Sequence, residues 1–202
     1  MIFSLIVCTH KRKDAILKLL LSVENQSIYP EEILVIDGSP DDETKNMLID
    51  KKFKNFQIQP EQRGLTKQRN IGISKVDLKS EIVCFLDDDT ILKKDYFEKL
   101  LETYLFYPEA LGVGGYISNE IKWHKLDEGY IRSDKDFIYD GWRREDGKRF
   151  IWRKKLGLDS DCAPGFSPLF SHGRSIGFLP PSGKIYAAEQ LMGGVSSFKS
   201  EV

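Results

Sequence analysis

Over the first 117 positions the apolar residues follow two rhythms in alternation. The runs Ile2 to Cys8, Ile33 to Ile36 and Ile82 to Leu86 are short, unbroken and rich in β-branched side chains, which predicts strands buried on both faces. Phe56 to Gln59 alternates and predicts a short strand; Leu111 to Ile117 predicts another, interrupted by glycines. Between these runs the spacing turns helical. Ile16, Leu17, Leu20, Leu21 and Val23 form an apolar stripe within 14–26. Phe97, Leu100, Leu101, Tyr104 and Leu105 form a second within 95–107, closed by Pro108. A helix from Asp41 to about Asp50 opens on acids suited to its first turn. Gly64 to Lys75 is helix-like, with weak apolar marks at Leu65, Ile71 and Ile73.

The order β-α-β-α-β-α-β-α-β predicts an α/β fold, a mostly parallel Rossmann-like sheet with helices on both faces. Three predicted strands end in polar or acidic loops, at Thr9, Asp37 and Asp87. Strands that run parallel bring such loops to one edge, where open α/β sheets bind ligands. After Ile117 the periodicity fades. Residues 118–190 hold charges, glycines, prolines and aromatics such as Trp123, Tyr130, Phe137, Trp142 and Trp152, and are expected to form extra strands and long loops. The expected organisation is 1–117 as the ligand-binding α/β half and 118–202 as a further region on the same domain.

The composition narrows the classes. The 202 residues are 41% hydrophobic and 30% charged, enough for one substantial core. A net charge of -1 argues against nucleic acid as a partner, although 143–155 is locally basic. Three dispersed cysteines, Cys8, Cys84 and Cys162, suggest a reducing compartment rather than a disulfide framework. The N-terminal apolar run is too short for a signal-peptide core, and no segment has the length of a transmembrane helix. The expectation is a cytoplasmic protein, with peripheral contact at the inner face of the membrane left open. His10, His124 and His172 have no metal-ligand spacing.

Phe85-Leu86-Asp87-Asp88-Asp89-Thr90 is the stretch with the clearest chemistry: an apolar strand that stops at three carboxylates. Adjacent carboxylates repel unless a cation joins them, and a hard divalent ion with oxygen ligands, Mn²⁺ or Mg²⁺, would bring a phosphate substrate with it. The plainer alternative is that Asp89 or Thr90 caps the following helix. No GxxxxGK[ST] loop and no GxGxxG after the first strand are present, which disfavours P-loop and dinucleotide-binding enzymes. A haloacid-dehalogenase-like nucleophile motif fits poorly, since Thr90 comes one residue early and the motif stands on the fourth strand.

Five stretches in order carry a resemblance. SLIVCTHKR after the start, ILVIDGSPD from Ile33, RGLTKQRNIGI from Arg63, VCFLDDDT from Val83 and MGGVSSFKSEV from Met192 together resemble a family 2 glycosyltransferase with the GT-A fold of nucleotide-diphospho-sugar transferases. The resemblance implies inverting transfer of a sugar from a nucleoside diphosphate donor, usually UDP- or dTDP-linked, to a glycan or lipid-linked acceptor, as in polysaccharide synthesis of the bacterial type. It implies that Thr9 and Arg12 line the nucleotide pocket, that Asp37 accepts from the base, and that Gly64 allows close backbone approach. Arg69 would contact the base or hold the acidic loop. Asp87 or Asp88 would hydrogen-bond the ribose, and Asp89 would hold the Mn²⁺ or Mg²⁺ that bridges the diphosphate.

Inverting transfer also needs a general base. The resemblance places that acid after the last matched stretch, beyond Val202, so the chain is expected to be truncated, with the donor site in 1–117 and 118–202 as an incomplete acceptor-side region. Glu189, upstream of Gly193-Gly194, does not match the pattern. Two other functions stay open at this point: a non-catalytic nucleotide-sugar-binding remnant, and a metal-dependent phosphohydrolase with Asp87 as nucleophile. A sugar nucleotidyltransferase is disfavoured, because Thr9-His10-Lys11-Arg12 lacks a glycine-rich basic signature.

Overall fold

A computed structural model describes residues 1–119, 121–160, 162–170 and 173–201. His172 and Val202 lie outside them. The chain divides into two compact units: Met1–Gly115 together with the stretch from Gly193 onward, and Tyr116–Met192.

The first unit is the alternating half of the chain. Strands β1 (Phe3–Thr9), β2 (Glu32–Asp37), β3 (Phe56–Pro60) and β4 (Ile82–Asp87) are separated by helices α1 (Lys13–Glu24), α2 (Glu43–Lys51) and α3 (Leu65–Lys75). Helix α4 (Tyr96–Phe106) leads to a three-residue β5 (Gly112–Gly114). The six-stranded sheet runs β3-β2-β1-β4-β9-β5, where β9 (Val195–Lys199) comes from the far end of the chain. β3, β2, β1 and β4 pair in parallel, and β9 runs antiparallel to both β4 and β5.

The unbroken apolar runs are explained by burial on both faces. Ile6, Leu34, Ile36, Val83 and Phe85 form one buried face, against which Cys8 and, from α3 and its end, Ile71 and Val76 pack. The alternate positions face the other way, where Phe3 meets Phe97 of α4 with ring centroids 4.9 Å apart. Helix α1 contributes Ile16, Leu19, Leu20 and Val23, all fully buried.

Two features depart from the periodicity. Residues 111–117 yield only Gly112–Gly114 as strand, and a side chain at Gly115 would stand 2.9 Å from the Tyr96 ring. The stretch from Met192, whose periodicity marks no element, holds β9 inside the sheet. Its Ser196 and Ser197 are buried at 4% and 0% exposure. Ser197 Oγ donates to the Val113 carbonyl at 2.9 Å and lies 3.0 Å from Tyr104 Oη, so a polar pair is satisfied in an interior position.

The second unit holds a three-stranded antiparallel sheet, β6 (His124–Lys125), β8 (Trp142–Glu145) and β7 (Asp136–Tyr139), in that order, and helix α5 (Lys148–Lys155). Asp140 and Gly141 join β7 to β8 with φ of 48° and 75°, as a two-residue hairpin of primed type requires. Its interior is built on a cation. The Arg174 guanidinium lies 4.2 Å from the ring centroids of both Phe137 and Phe150, and pairs with buried Asp146 at 2.8 Å and with Asp159 at 2.8 Å. A buried arginine needs such partners, since its charge cannot be shed.

Candidate functional site

Strand register determines what meets at the sheet edge. Thr9 stands opposite Asp37 across β1 and β2, and Cys8 opposite Asp87 across β1 and β4. The three strand ends stop together, so their loops leave the first unit side by side.

The three aspartates do not share one environment. The Asp87 side chain at the end of β4 is about half exposed, at 53%. Asp88 turns inward. Its side chain is 6% exposed, Thr9 Oγ1 donates to Oδ2 at 2.7 Å, and Arg12 donates to Oδ1 at 2.7 Å. Asp89 turns outward again at 56% exposure, and the other Arg12 nitrogen donates to its Oδ2 at 2.7 Å. Arg12 thus clamps two of the carboxylates with one planar fork. Burial pushes the Asp88 carboxyl above its ordinary value, opposed by the Thr9 hydroxyl and the Arg12 charge, while Asp89 and Asp87 push the same way as burial.

Arg69 serves the third carboxylate. Its guanidinium lies 3.6 Å from Asp87 Oδ1, donates to the Gly193 carbonyl at 2.7 Å, and sits 5.7 Å from the Phe85 ring. The Asp87 amide donates to the Gly194 carbonyl at 2.9 Å. A Cβ at Gly194 would stand 2.2 Å from Asp87 Oδ2, so glycine is what lets the carboxylate lie against this backbone.

Asp37 is buried, and the Ser39 amide donates to its Oδ1 at 2.9 Å in an Asx-type turn. Its Oδ2 has no hydrogen-bond partner among the described residues, and with Ser39, Pro40, Lys45, Ile58 and Pro60 it lines a cleft. Gly64 caps α3 with φ of 150°, backbone that side chains rarely adopt.

One residue of the site goes unmarked by sequence reasoning. Gln68, 4% exposed, donates through Nε2 to the Thr9 carbonyl at 2.9 Å and to the Ile36 carbonyl at 2.8 Å. Its Oε1 accepts from the Gly64 amide at 3.3 Å. It ties the ends of β1 and β2 to the start of α3. No sequence signal pointed to it, because a glutamine on a helix with weak apolar marks reads as solvated. The structure therefore gathers Thr9, Arg12, Asp88 and Asp89 in one cluster and Arg69 with Asp87 in a second. Gln68 links Thr9 to Gly64 and to the strand end that carries Asp37.

Among the described residues no three His, Cys, Asp or Glu side chains are gathered as a metal cage. Mg²⁺ and Mn²⁺ in phosphate sites need less, commonly one or two carboxylates with the substrate's own oxygens completing the shell. The outward carboxylate of Asp89, 56% exposed, fits that requirement. Asp89 keeps Oδ1 without a hydrogen bond among the described residues.

Comparison with known proteins bears on the family and the fold. The family model for glycosyl transferase family 2 matches residues 4–172. A Campylobacter jejuni GalNAc(5)-diNAcBac-PP-undecaprenol beta-1,3-glucosyltransferase is 28% identical over 146 residues, 67% of this chain and 47% of that protein. A Salmonella typhimurium O-antigen chain rhamnosyltransferase, RfbN, is 29% identical over 113 residues, 55% of this chain and 36% of that protein. The chain thus spans less than half the length of these curated relatives. Among solved structures, S. aureus TarS 1–349 in complex with UDP-GlcNAc matches 67% of this chain and 38% of its own, with 20% identity and a TM-score of 0.50. The Pyrobaculum calidifontis mannosyltransferase PcManGT, in complex with GDP-Man and Mn²⁺, matches 58% and 35%, with 20% identity and a TM-score of 0.50. These likenesses establish the fold, the α/β arrangement of GT-A glycosyltransferases.

Proposed function

The chain belongs to glycosyl transferase family 2, and from that premise we propose that it binds a nucleoside diphosphate sugar, UDP- or dTDP-linked, at the edge formed by Thr9, Asp37 and Asp87. The sugar would pass to a glycan or lipid-linked acceptor with inversion, given a general base to take the acceptor hydroxyl's proton. The observation that carries this reading is the division of labour in the triplet: Asp87 and Asp89 face solvent, and the residue between them is buried and pinned.

In this reading the free Oδ2 of Asp37 accepts from a base N–H, and the cleft beside it takes the base. Asp87 accepts from a ribose hydroxyl. That role falls to Asp87 rather than Asp88, because both Asp88 oxygens are engaged by Thr9 and Arg12. Asp88 is a positioning residue. It holds Arg12, which holds Asp89. Asp89, with the donor's phosphate oxygens, would hold Mn²⁺ or Mg²⁺. Such an ion, when bound, supplies Lewis-acid stabilisation of the departing diphosphate. Arg69 orients Asp87 and the Gly193–Gly194 backbone.

Calorimetric titration of UDP with and without Mn²⁺, on the wild type and Asp89→Ala, tests this. Mn²⁺ is expected to tighten UDP binding at least about tenfold, equivalent to about 1.4 kcal/mol, and Asp89→Ala to remove that gain. Equal affinity with and without Mn²⁺ in the wild type overturns the metal role. No binding of UDP or dTDP overturns the donor site.

A further inference from the structure

Helix α5 of the second unit presents a face that neither helix stability nor the donor site accounts for. Lys148, Arg149, Trp152, Lys155 and Leu156 are exposed, at spacings that place them on one side of a helix. Phe150 anchors the other side. It is 8% exposed, with its ring 5.3 Å from Phe178 and 4.2 Å from the Arg174 guanidinium. Lys154 also turns inward, to Asp146 at 2.6 Å.

Residues 147–158 carry five cations and no acid, in a chain of net charge -1. Lys148 and Arg149 stand in the first turn, where the helix dipole disfavours positive charge, and that turn holds no acid. Lys148, Arg149 and Lys155 make no ion pair among the described residues; Lys155 Nζ lies 5.1 Å over the Trp152 ring. Between these cations stand two large apolar side chains, Trp152 at 63% and Leu156 at 67% exposure.

We propose that this face of α5 docks on an anionic lipid bilayer. Charge complementarity selects the occupant. A bilayer surface offers anionic headgroups to the three outward cations, and an apolar layer just beneath them to Trp152 and Leu156. Tryptophan is suited to that boundary, with an apolar ring and one polar N–H. A soluble anionic polymer would use the cations but leave the two apolar side chains in water.

The test is sedimentation of the full chain with vesicles of phosphatidylcholine, alone or mixed with phosphatidylglycerol, at low and high salt. Binding to the mixed vesicles alone, weakened by salt, is expected. K148E/R149E/K155E is expected to lose at least about tenfold in partitioning, in keeping with the per-charge attraction of anionic surfaces. Trp152→Ala is expected to lose about threefold. Absence of vesicle binding, or equal binding to neutral vesicles, overturns the proposal, as does wild-type partitioning by the triple variant. Binding to dextran sulfate that is indifferent to Trp152→Ala, without vesicle binding, assigns the face to a polymer and also overturns it. UDP titration of the same variants keeps this outcome separate from that of the donor site.

Discussion

The role of each carboxylate at the sheet edge depends on which way the backbone turns it. Asp87, Asp88 and Asp89 look alike in sequence, yet only the middle one is buried, under Thr9 and Arg12. Its pH behaviour follows. Folding raises the Asp88 carboxyl above its ordinary value of 3.8, so the folded state holds that proton more tightly than the unfolded one. This contribution to stability is present below the ordinary value and is lost as pH rises through the folded value. Urea unfolding of wild type and Asp88→Asn between pH 4 and 7 is expected to show the wild type losing ground to the variant as pH rises; a constant difference would contradict the assignment. Arg12 adds a second prediction. It occupies Oδ2 of Asp89, so Mn²⁺ without nucleotide is expected to raise the melting temperature more in Arg12→Ala than in the wild type. Cys8 beside this cluster has its thiol pushed up to about 11 by burial, against the opposing pull of Arg69. Its alkylation is therefore expected to accelerate about tenfold per pH unit between pH 7 and 10, as the thiolate fraction grows. The string of aspartates was legible as a site. Which of them faces solvent was not, because that depends on a threonine and an arginine far back in the chain.

At the scale of elements, close approaches decide what a sequence pattern leaves open. Helix α3 has weak apolar marks, and its docking depends on Gly72, where a Cβ would lie 2.7 Å from Ile6 Cγ2 in the buried face. Gly72→Ala would gain about 1 kcal/mol of helix propensity and lose about 1–3 kcal/mol to overpacking. The expected net effect is destabilisation of about 1 kcal/mol, read by denaturant midpoint. Gly194 differs, because the neighbour there is the half-exposed carboxylate of Asp87 rather than packed core. Gly194→Ala is expected to displace that carboxylate and weaken UDP binding at least about tenfold, with little change in the melting temperature. Strands β1 to β4 and helices α1 to α4 were readable from continuous, alternating and 3.6-residue patterns, with ends shifted by a residue or two, whereas the stretch 111–117 yields only Gly112–Gly114 as strand. Asp140-Gly141 carries a hairpin signal within the region 118–190, for which extra strands and long loops were expected without placing them. Strand β9 was not readable: two serines at its centre look exposed, yet both are buried, and Ser197 donates to the Val113 carbonyl while Tyr104 lies within hydrogen-bond reach of the same hydroxyl.

At the scale of the molecule, the second unit is an insertion between two strands of the first. β5 and β9 are neighbours in the sheet, with Gly114 opposite Ser196. The whole edge that gathers Thr9, Asp37 and Asp87 belongs to the first unit. Replacing 116–192 by a short turn is therefore expected to leave a cooperatively unfolding protein that still binds UDP. Loss of the cooperative transition would show that the sheet needs the insertion. By itself the sequence determined the α/β alternation, the parallel strands, and the edge at which polar and acidic loops collect. Those follow from the burial of each residue, which its own type and spacing report. Tertiary structure alone decided that the last strand enters the sheet, that Asp88 lies beneath Asp87 and Asp89, and that Gln68 ties the strand ends together. These depend on partners that are remote in sequence, 76 residues apart for Arg12 and Asp88 and 124 for Arg69 and Gly193, and local periodicity carries no information about such pairs.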